Sequence, residues 1–179
     1  YSQAKEAMRR GFEVLLHLPL EPLDPKIDPG PETIYSFFTP EEVLQGLRHN
    51  LEAVPGVVGV SNHMGSKGTQ DPKLMGLIME ELKSEGLFFV DSKTIHTSIA
   101  SVAAVAKGVP VATRDLFIDH NGIEDIENQL KKLLEMAVRK GSAVGIAHAR
   151  PGVAEVIGKF LPCFAAAGVE IVPVSKAAE

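Results

Sequence analysis

The sequence has few of the residues that build disulfide-rich domains or cysteine-based metal sites. Its 179 residues include one cysteine, Cys163, and no tryptophan. A single cysteine can form neither an internal disulfide framework nor a cysteine-rich zinc site. We expect Cys163 to pack as a small apolar residue on a helix.

Excess positive charge and long hydrophobic runs are also absent. Lysine and arginine number 18 against 23 acidic residues, so the net charge is -5, and the pI is near 5.7. This balance argues against nucleic acid as the main partner, because phosphate binding requires clustered Lys and Arg. No apolar run approaches the ~20 residues of a transmembrane helix. A hydrophobic content of 45% excludes disorder and indicates one globular domain over residues 1–179.

Short apolar runs alternate with segments of helical periodicity. Thr39-Pro40-Glu41-Glu42 predicts a helix start, and that helix should run to about Ala53. Most of the apolar runs lack polar residues on either face, as strands of a parallel sheet do. The pattern predicts an α/β fold and leaves a doubly wound sheet and a barrel both open. The six predicted strands are Glu13–Leu18, Val57–Val60, Leu87–Asp91, Val111–Asp115, Ala143–His148 and Glu170–Ser175.

The segment from Pro19 to Phe38 differs from the rest of the chain, because it holds five prolines and has no helical period. A loop of this length in a compact domain usually has a function. It follows the first predicted strand, so we expect it to cover the carboxyl end of that strand.

Five successive predicted strands end in polar residues of the types that do chemistry. These residues are His17, His63 after Ser61-Asn62, Asp91, Arg114-Asp115 and His148. In a parallel β/α architecture the carboxyl ends of the strands meet on one face, where active sites are built. We therefore expect a common site from these side chains.

Two imidazoles and a carboxylate with an open fourth position are the ligand set of a hydrolytic zinc or related divalent site. Such an ion lowers the pKa of bound water, and a further protonated His held by an Asp can protonate a leaving group. Nucleophilic catalysis is the weaker interpretation, because Ser61 and Ser175 have no obvious base partner in the sequence.

The motifs around these residues resemble the divergent polysaccharide deacetylase family of bacteria from about Gly11 to Ser175. In chain order they are His17-Leu-Pro-Leu-Glu-Pro22, Gly59-Val-Ser-Asn-His-Met-Gly-Ser66 with Thr69, Asp91-Ser-Lys-Thr94, Arg114-Asp-Leu-Phe-Ile-Asp119 and Gly145-Ile-Ala-His-Ala-Arg-Pro151.

The resemblance implies a distorted (β/α) barrel of about seven parallel strands that deacetylates N-acetylated glycans with a divalent metal, zinc being expected. It makes His17 and His63 metal ligands and His148 the general acid. Asp91 or Asp115 would orient His148, and Arg114 would be a further polar group of the site. The family also suggests an extracytoplasmic location, in the periplasm or cell envelope.

The paired Asp residues that such enzymes carry on their first strand are not in this sequence. We therefore expect Tyr1 to be an internal position and one or two N-terminal βα units of the barrel to be absent. Two alternatives stay open. One is a non-catalytic carbohydrate-binding or envelope protein with the same barrel, and the other is an amidase or esterase acting on a substrate other than a sugar.

Overall fold

The computed structural model describes residues 2–178, in which short strands alternate with six helices. The helices are α1 (Ser2–Arg9), α2 (Pro40–Ala53), α3 (Pro72–Ser84), α4 (Ala100–Lys107), α5 (Ile126–Lys140) and α6 (Val153–Ala166). The strands are β1 (Leu15–Leu20), β2 (Gly59–Met64), β3 (Phe88–Asp91), β4 (Val111–Thr113), β5 (Leu116–Phe117) and β6 (Gly145–Ile146). Within these residues no helix is both long and apolar enough to cross a lipid bilayer.

The chain divides into two compact units. The first comprises the residues up to Thr113 together with Ala178, and the second comprises residues 114–177. The first unit is built on a parallel sheet in the order β1-β2-β3-β4. Leu16, Leu18 and Leu20 of β1 are buried in one core with apolar residues of α2, α3 and α4. Because side chains alternate along a strand, His17 lies on the other face of the sheet, where it is exposed.

The predicted start of α2 is confirmed by its capping bonds, and α3 is capped in a similar way. The Thr39 hydroxyl accepts the Glu42 amide, and the Glu42 carboxylate accepts the Thr39 amide, so α2 begins with a capping box. At the start of α3 the Asp71 carboxylate accepts the Leu74 amide at 2.8 Å. Each cap satisfies backbone donors that the first helical turn leaves without a partner.

The second unit is smaller, with β5 parallel to β6 and a separate core. Packing is close at Gly145 of β6, since a Cβ atom at this position would lie 2.7 Å from the Leu133 side chain and 2.9 Å from the Ile118 side chain, which would both have to shift. The buried core residues of this unit are Ile118, Ile126, Leu130, Leu133, Val153, Phe160 and Phe164.

The bounds of several predicted strands shift in the structure, since β1 and β2 extend to Leu20 and Met64 and β6 is only Gly145–Ile146. Two further predicted strands differ more strongly. The run Val111–Asp115 is divided, since β4 ends at Thr113 and a second strand begins at Leu116 in the other sheet. The run Glu170–Ser175 has strand-like composition but pairs with no strand of the described chain, and Ile171 and Val172 are exposed. Apolar composition alone does not make a strand when no neighbouring edge accepts its hydrogen bonds.

The predicted barrel is not confirmed. The strands of residues 2–178 form one sheet of four and one of two, and neither closes on itself. Closure needs every strand to have a neighbour on both sides, and β1 and β4 are the edges of their sheet. The α/β class and the parallel strand pairing are confirmed.

The predicted proline-rich loop is confirmed as irregular chain from residue 21 onward, whereas Pro19 and Leu20, predicted to belong to it, form the end of β1. Residues 21–38 contain no helix, and an isolated bridge between Leu20 and Ile34 returns the segment to the end of β1.

Candidate functional site

In the first unit, the structure brings two of the predicted site histidines together on the face of the sheet opposite Leu16, Leu18 and Leu20. His17 of β1 is paired in register with Ser61 of β2, and His63 lies two residues further along β2 on the same face. The imidazole rings of His17 and His63 are 5.0 Å apart between centroids and meet edge to face. The Nδ1 atom of His17 lies 2.8 Å from the Ser61 hydroxyl, and this hydrogen bond orients the ring.

The residue between Ser61 and His63 fixes this arrangement from inside the protein. Asn62 is fully buried, its side-chain carbonyl accepts the Ser92 amide, and its side-chain NH2 donates to the Met64 carbonyl, both at 2.8 Å. Met64 adopts a φ of 49°, a left-handed conformation that an L side chain rarely takes. Asn62 thus holds the turn after β2 and thereby the position of His63.

Two imidazoles on one sheet face are a donor pair suited to zinc and similar divalent ions. They fit two of the three protein ligands that the family resemblance implies. No group of three His, Cys, Asp or Glu side chains within residues 2–178 is arranged to hold an ion. A third ligand is thus not found in the described part of the chain.

The structure does not bring Asp91 to the imidazole pair. Ser61 is in register with Val90, so Asp91, the next residue of β3, belongs to the opposite face of the sheet. Its carboxylate is 1% exposed and accepts hydrogen bonds from the Lys93 amide at 2.7 Å and the Ser98 hydroxyl at 2.8 Å. These bonds hold the turn that leads from β3 towards α4.

In the second unit, the partner of His148 is Asp119. The Nδ1 atom of His148 lies 3.1 and 3.3 Å from the two carboxylate oxygens of Asp119, and the His148 amide donates to the same group. The Asp119 side chain is 1% exposed, whereas that of His148 is 54% exposed. A buried carboxylate therefore anchors one nitrogen of an imidazole that is open to solvent.

The surroundings of Asp119 favour its charged form. Burial opposes ionisation, but the amide and imidazole of His148 outweigh it, and Arg150, at 3.7 Å, adds to their effect. Together they hold the pKa of the Asp119 carboxyl below its usual value.

An aromatic ring completes this group. The ring of Phe117 lies 5.0 Å from that of His148, and the guanidinium of Arg114 lies over Phe117 at 5.4 Å from its centroid. Arg114, predicted as a further polar group of the site, thus contacts the ring that packs against His148.

Asp115 lies at the other end of this two-stranded sheet. It precedes β5, where its carboxylate accepts the Lys140 ammonium group at 2.6 Å and the Val144 amide at 2.9 Å. His148 and Asp119 instead follow the ends of β6 and β5. The resemblance implied that Asp91 or Asp115 would orient His148, and in the second unit the carboxylate that hydrogen-bonds to His148 is that of Asp119.

Asp119 and Arg150 were not among the predicted site residues, although both lie within the motifs that carry the resemblance. The signal was the second Asp of Arg114-Asp-Leu-Phe-Ile-Asp119. Once β5 is recognised as a separate strand, this Asp stands at its carboxyl end.

With this geometry in place, comparison with known proteins identifies the family. A model of the divergent polysaccharide deacetylase family matches residues 1–178. The chain belongs to this family. Among curated proteins, an uncharacterized protein of Haemophilus influenzae is 34% identical over 161 residues, covering 88% of this chain and 57% of that protein. The uncharacterized protein YibQ of Escherichia coli is 36% identical over 155 residues, covering 86% of this chain and 48% of YibQ.

A solved structure has a similar fold. The crystal structure of uncharacterized protein ATU2773 from Agrobacterium tumefaciens matches with a TM-score of 0.91 and 28% identity, covering 96% of this chain and 71% of that one. The chain spans about half the length of the curated relatives it matches. All three proteins are described as uncharacterized.

Proposed function

We propose that this chain is part of a metal-dependent deacetylase that removes acetyl groups from N-acetylated glycans. The observation that carries the proposal is the pairing of a buried carboxylate, Asp119, with an exposed imidazole, His148. Such a pair is suited to hold and deliver a proton at one defined atom.

His17 and His63 would supply two ligands of the divalent ion, for which zinc is the expected metal. When bound there, the ion would polarise the acetyl carbonyl and lower the pKa of water. Ser61 would assist through its hydrogen bond with Nδ1 of His17, which orients the ring.

His148 would act on the leaving group. Asp119 anchors Nδ1, so Nε2 is the nitrogen available to a substrate. When the C–N bond of the acetamide breaks, protonated His148 would give its Nε2 proton to the departing sugar amine and become neutral. The hydrogen bond to Asp119 keeps the ring in place before and after this transfer.

The test is acetate release from chitopentaose, an N-acetylglucosamine oligomer, by the full-length protein with and without a chelator. We expect release that the chelator suppresses. His148→Ala should lower kcat about a hundredfold or more. His49→Ala, which changes an exposed histidine of α2, should leave the rate unchanged. Equal turnover by the two variants would contradict the role of His148.

Elemental analysis tests the ligands separately. The full-length protein should contain about one divalent ion per chain, and a double variant with His17→Ala and His63→Ala should lose it. Retention of the ion by the double variant would contradict this assignment. Glycan binding without any acetate release would favour the alternative, a non-catalytic carbohydrate-binding protein.

A further inference from the structure

The proline-rich loop after β1 encloses an open cleft of about 550 Å³. Cavities of about 300–1,000 Å³ are typical of small-molecule sites. The lining combines apolar and aromatic side chains with charged ones, among them Leu23, Lys26, Ile27, Asp28, Tyr35 and Phe37. All of these residues belong to the first unit.

Two aromatic rings give the cleft a flat apolar wall. Tyr35 and Phe37 stack with centroids 5.2 Å apart and planes inclined by 28°. Phe37 is 73% exposed, so packing in the core does not account for its presence. The neighbouring Phe38, in contrast, packs against the core of the first unit. The structure therefore separates a core ring, Phe38, from a surface ring, Phe37.

At the base of the cleft, the buried carboxylate of Glu21 connects neighbouring segments through hydrogen bonds. Glu21 accepts hydrogen bonds from the Ser36 amide at 2.9 Å, the Ser36 hydroxyl at 2.5 Å and the Lys67 ammonium group at 2.8 Å. Burial opposes the ionisation of Glu21, but Lys67 and Ser36 outweigh it and lower the pKa of its carboxyl. The backbone carbonyl of Glu21 also accepts the Lys67 and Gly68 amides.

These bonds connect the cleft to the imidazole pair. Lys67, which lines the cleft, is four residues beyond His63 in the chain. Ser66 accepts the Leu23 amide at 2.9 Å, so the cleft loop is fastened to the segment that leaves β2. The loop itself begins at the end of β1, which carries His17. Both walls of the cleft thus continue from the two strands that hold the histidines.

We propose that this cleft is a subsite for a sugar ring of a glycan chain, a ring next to the one whose acetyl group is removed. The inference rests on the proposed function for the identity of the glycan. A pyranose has a face of C–H groups, whose positive edges suit the negative face of an aromatic ring, and a rim of hydroxyl groups. Phe37 supplies the ring face, and Lys26 and Asp28 supply charged hydrogen-bonding groups beside it.

A glycan is favoured over a proline-rich peptide, the other common ligand of aromatic surface clefts. A substrate that is a polymer must extend beyond the reacting unit, and this cleft continues from the strands that carry the imidazole pair. The proposed deacetylase function gives a proline-rich peptide no comparable reason to bind in this cleft.

Calorimetric titration of the full-length protein with chitopentaose and with N-acetylglucosamine tests the inference. Phe37→Ala should weaken chitopentaose binding about tenfold, because one aromatic stack is lost, and should leave the weaker binding of the monosaccharide unchanged. Phe37→Tyr should retain the affinity. The matched control is Phe12→Ala, which removes a ring that is 65% exposed outside the cleft and should have no effect.

The outcomes separate this inference from the proposed function. Unchanged chitopentaose affinity in Phe37→Ala would overturn the subsite, whether or not acetate is released. Phe37-dependent binding without acetate release would support the subsite and contradict the deacetylase. Failure of the wild-type protein to bind chitopentaose, or binding of a proline-rich peptide in its place, would overturn the subsite.

Discussion

Among single residues, Asp119 is the buried charge that makes the second unit sensitive to acid. Its pKa in the folded protein lies below its usual value, whereas in the unfolded chain it is about 3.9. The ionised group therefore contributes stability above about pH 4, and the contribution is lost as the pH falls through the lowered pKa of the folded state.

We expect Asp119→Asn to lower the free energy of unfolding by about 1–3 kcal/mol at pH 7, because a charged hydrogen-bonding partner of His148 is lost. The difference from the wild-type protein should shrink as the pH falls towards about 3. Urea denaturation at both pH values measures this. Glu170→Gln, an isosteric change at an exposed carboxylate, is the control. A constant difference at both pH values would contradict the linkage.

Asn62 is a buried polar residue whose two hydrogen bonds hold the turn after β2. Asn62→Ala leaves the Ser92 amide and the Met64 carbonyl without this partner, so we expect a loss of about 2–4 kcal/mol in the free energy of unfolding. Ser61→Ala removes one bond at a half-buried position and should cost about 1 kcal/mol.

The two variants should also differ in their NMR spectra. Ser61→Ala should shift the ring nitrogens of His17 with little change at His63, and Asn62→Ala should shift His63. The opposite pattern would contradict the positioning role assigned to Asn62.

At the scale of single residues, the sequence located the predicted site histidines better than their carboxylate partners. His17 and His63 lie within β1 and β2, and His148 follows β6, so all three lie in or beside strands that local apolar patterns predict. Whether a carboxylate meets a histidine depends on the face and on the end of the sheet where it lies. Strand alternation places Asp91 on the face of the sheet opposite His17 and His63. One predicted strand is divided into β4 and β5, so Asp115 precedes β5 and lies at the other end of that sheet from His148.

At the scale of elements, the start of α2 should respond to its cap. Thr39→Ala removes the side-chain acceptor of the capping box, so we expect a loss of about 1 kcal/mol in the free energy of unfolding. Thr39→Ser keeps the acceptor and should restore most of this stability. Thermal unfolding followed by circular dichroism measures both variants, and equal melting temperatures for them would contradict the capping role.

Helices proved easier to predict than strands. The starts of α2 and α3 are determined within four residues by Thr39, Pro40 and Asp71, because capping is a local interaction. The strands after β3 depend on partners distant in sequence. Glu170–Ser175 has the composition of a strand, yet no strand of the described chain pairs with it.

At the scale of the whole molecule, the net charge of -5 predicts that the protein does not bind nucleic acid. Because acidic residues outnumber basic ones, we expect little counterion release to drive association with phosphates. A fluorescence anisotropy titration with duplex DNA at about 0.15 M salt should detect no binding. Salt-sensitive binding in the micromolar range would contradict this prediction.

Of the architecture, only the α/β class and the parallel pairing of strands could be predicted from the sequence. Alternation of strand and helix indicates parallel pairing from local sequence, and this is confirmed. Closure of a barrel is a property of the complete set of strands, and residues 2–178 contain a sheet of four and a sheet of two.

The alternation of β1 has a consequence for how this protein can change. Leu16, Leu18 and Leu20 enter the core, while His17 lies between them on the outer face. Inserting or deleting one residue before His17 would turn that histidine inwards and the leucines out to water. The burial of the three leucines and the exposure of His17 therefore depend on the same register of β1. Substitutions can alter either separately, but a one-residue change in strand length disrupts both at once.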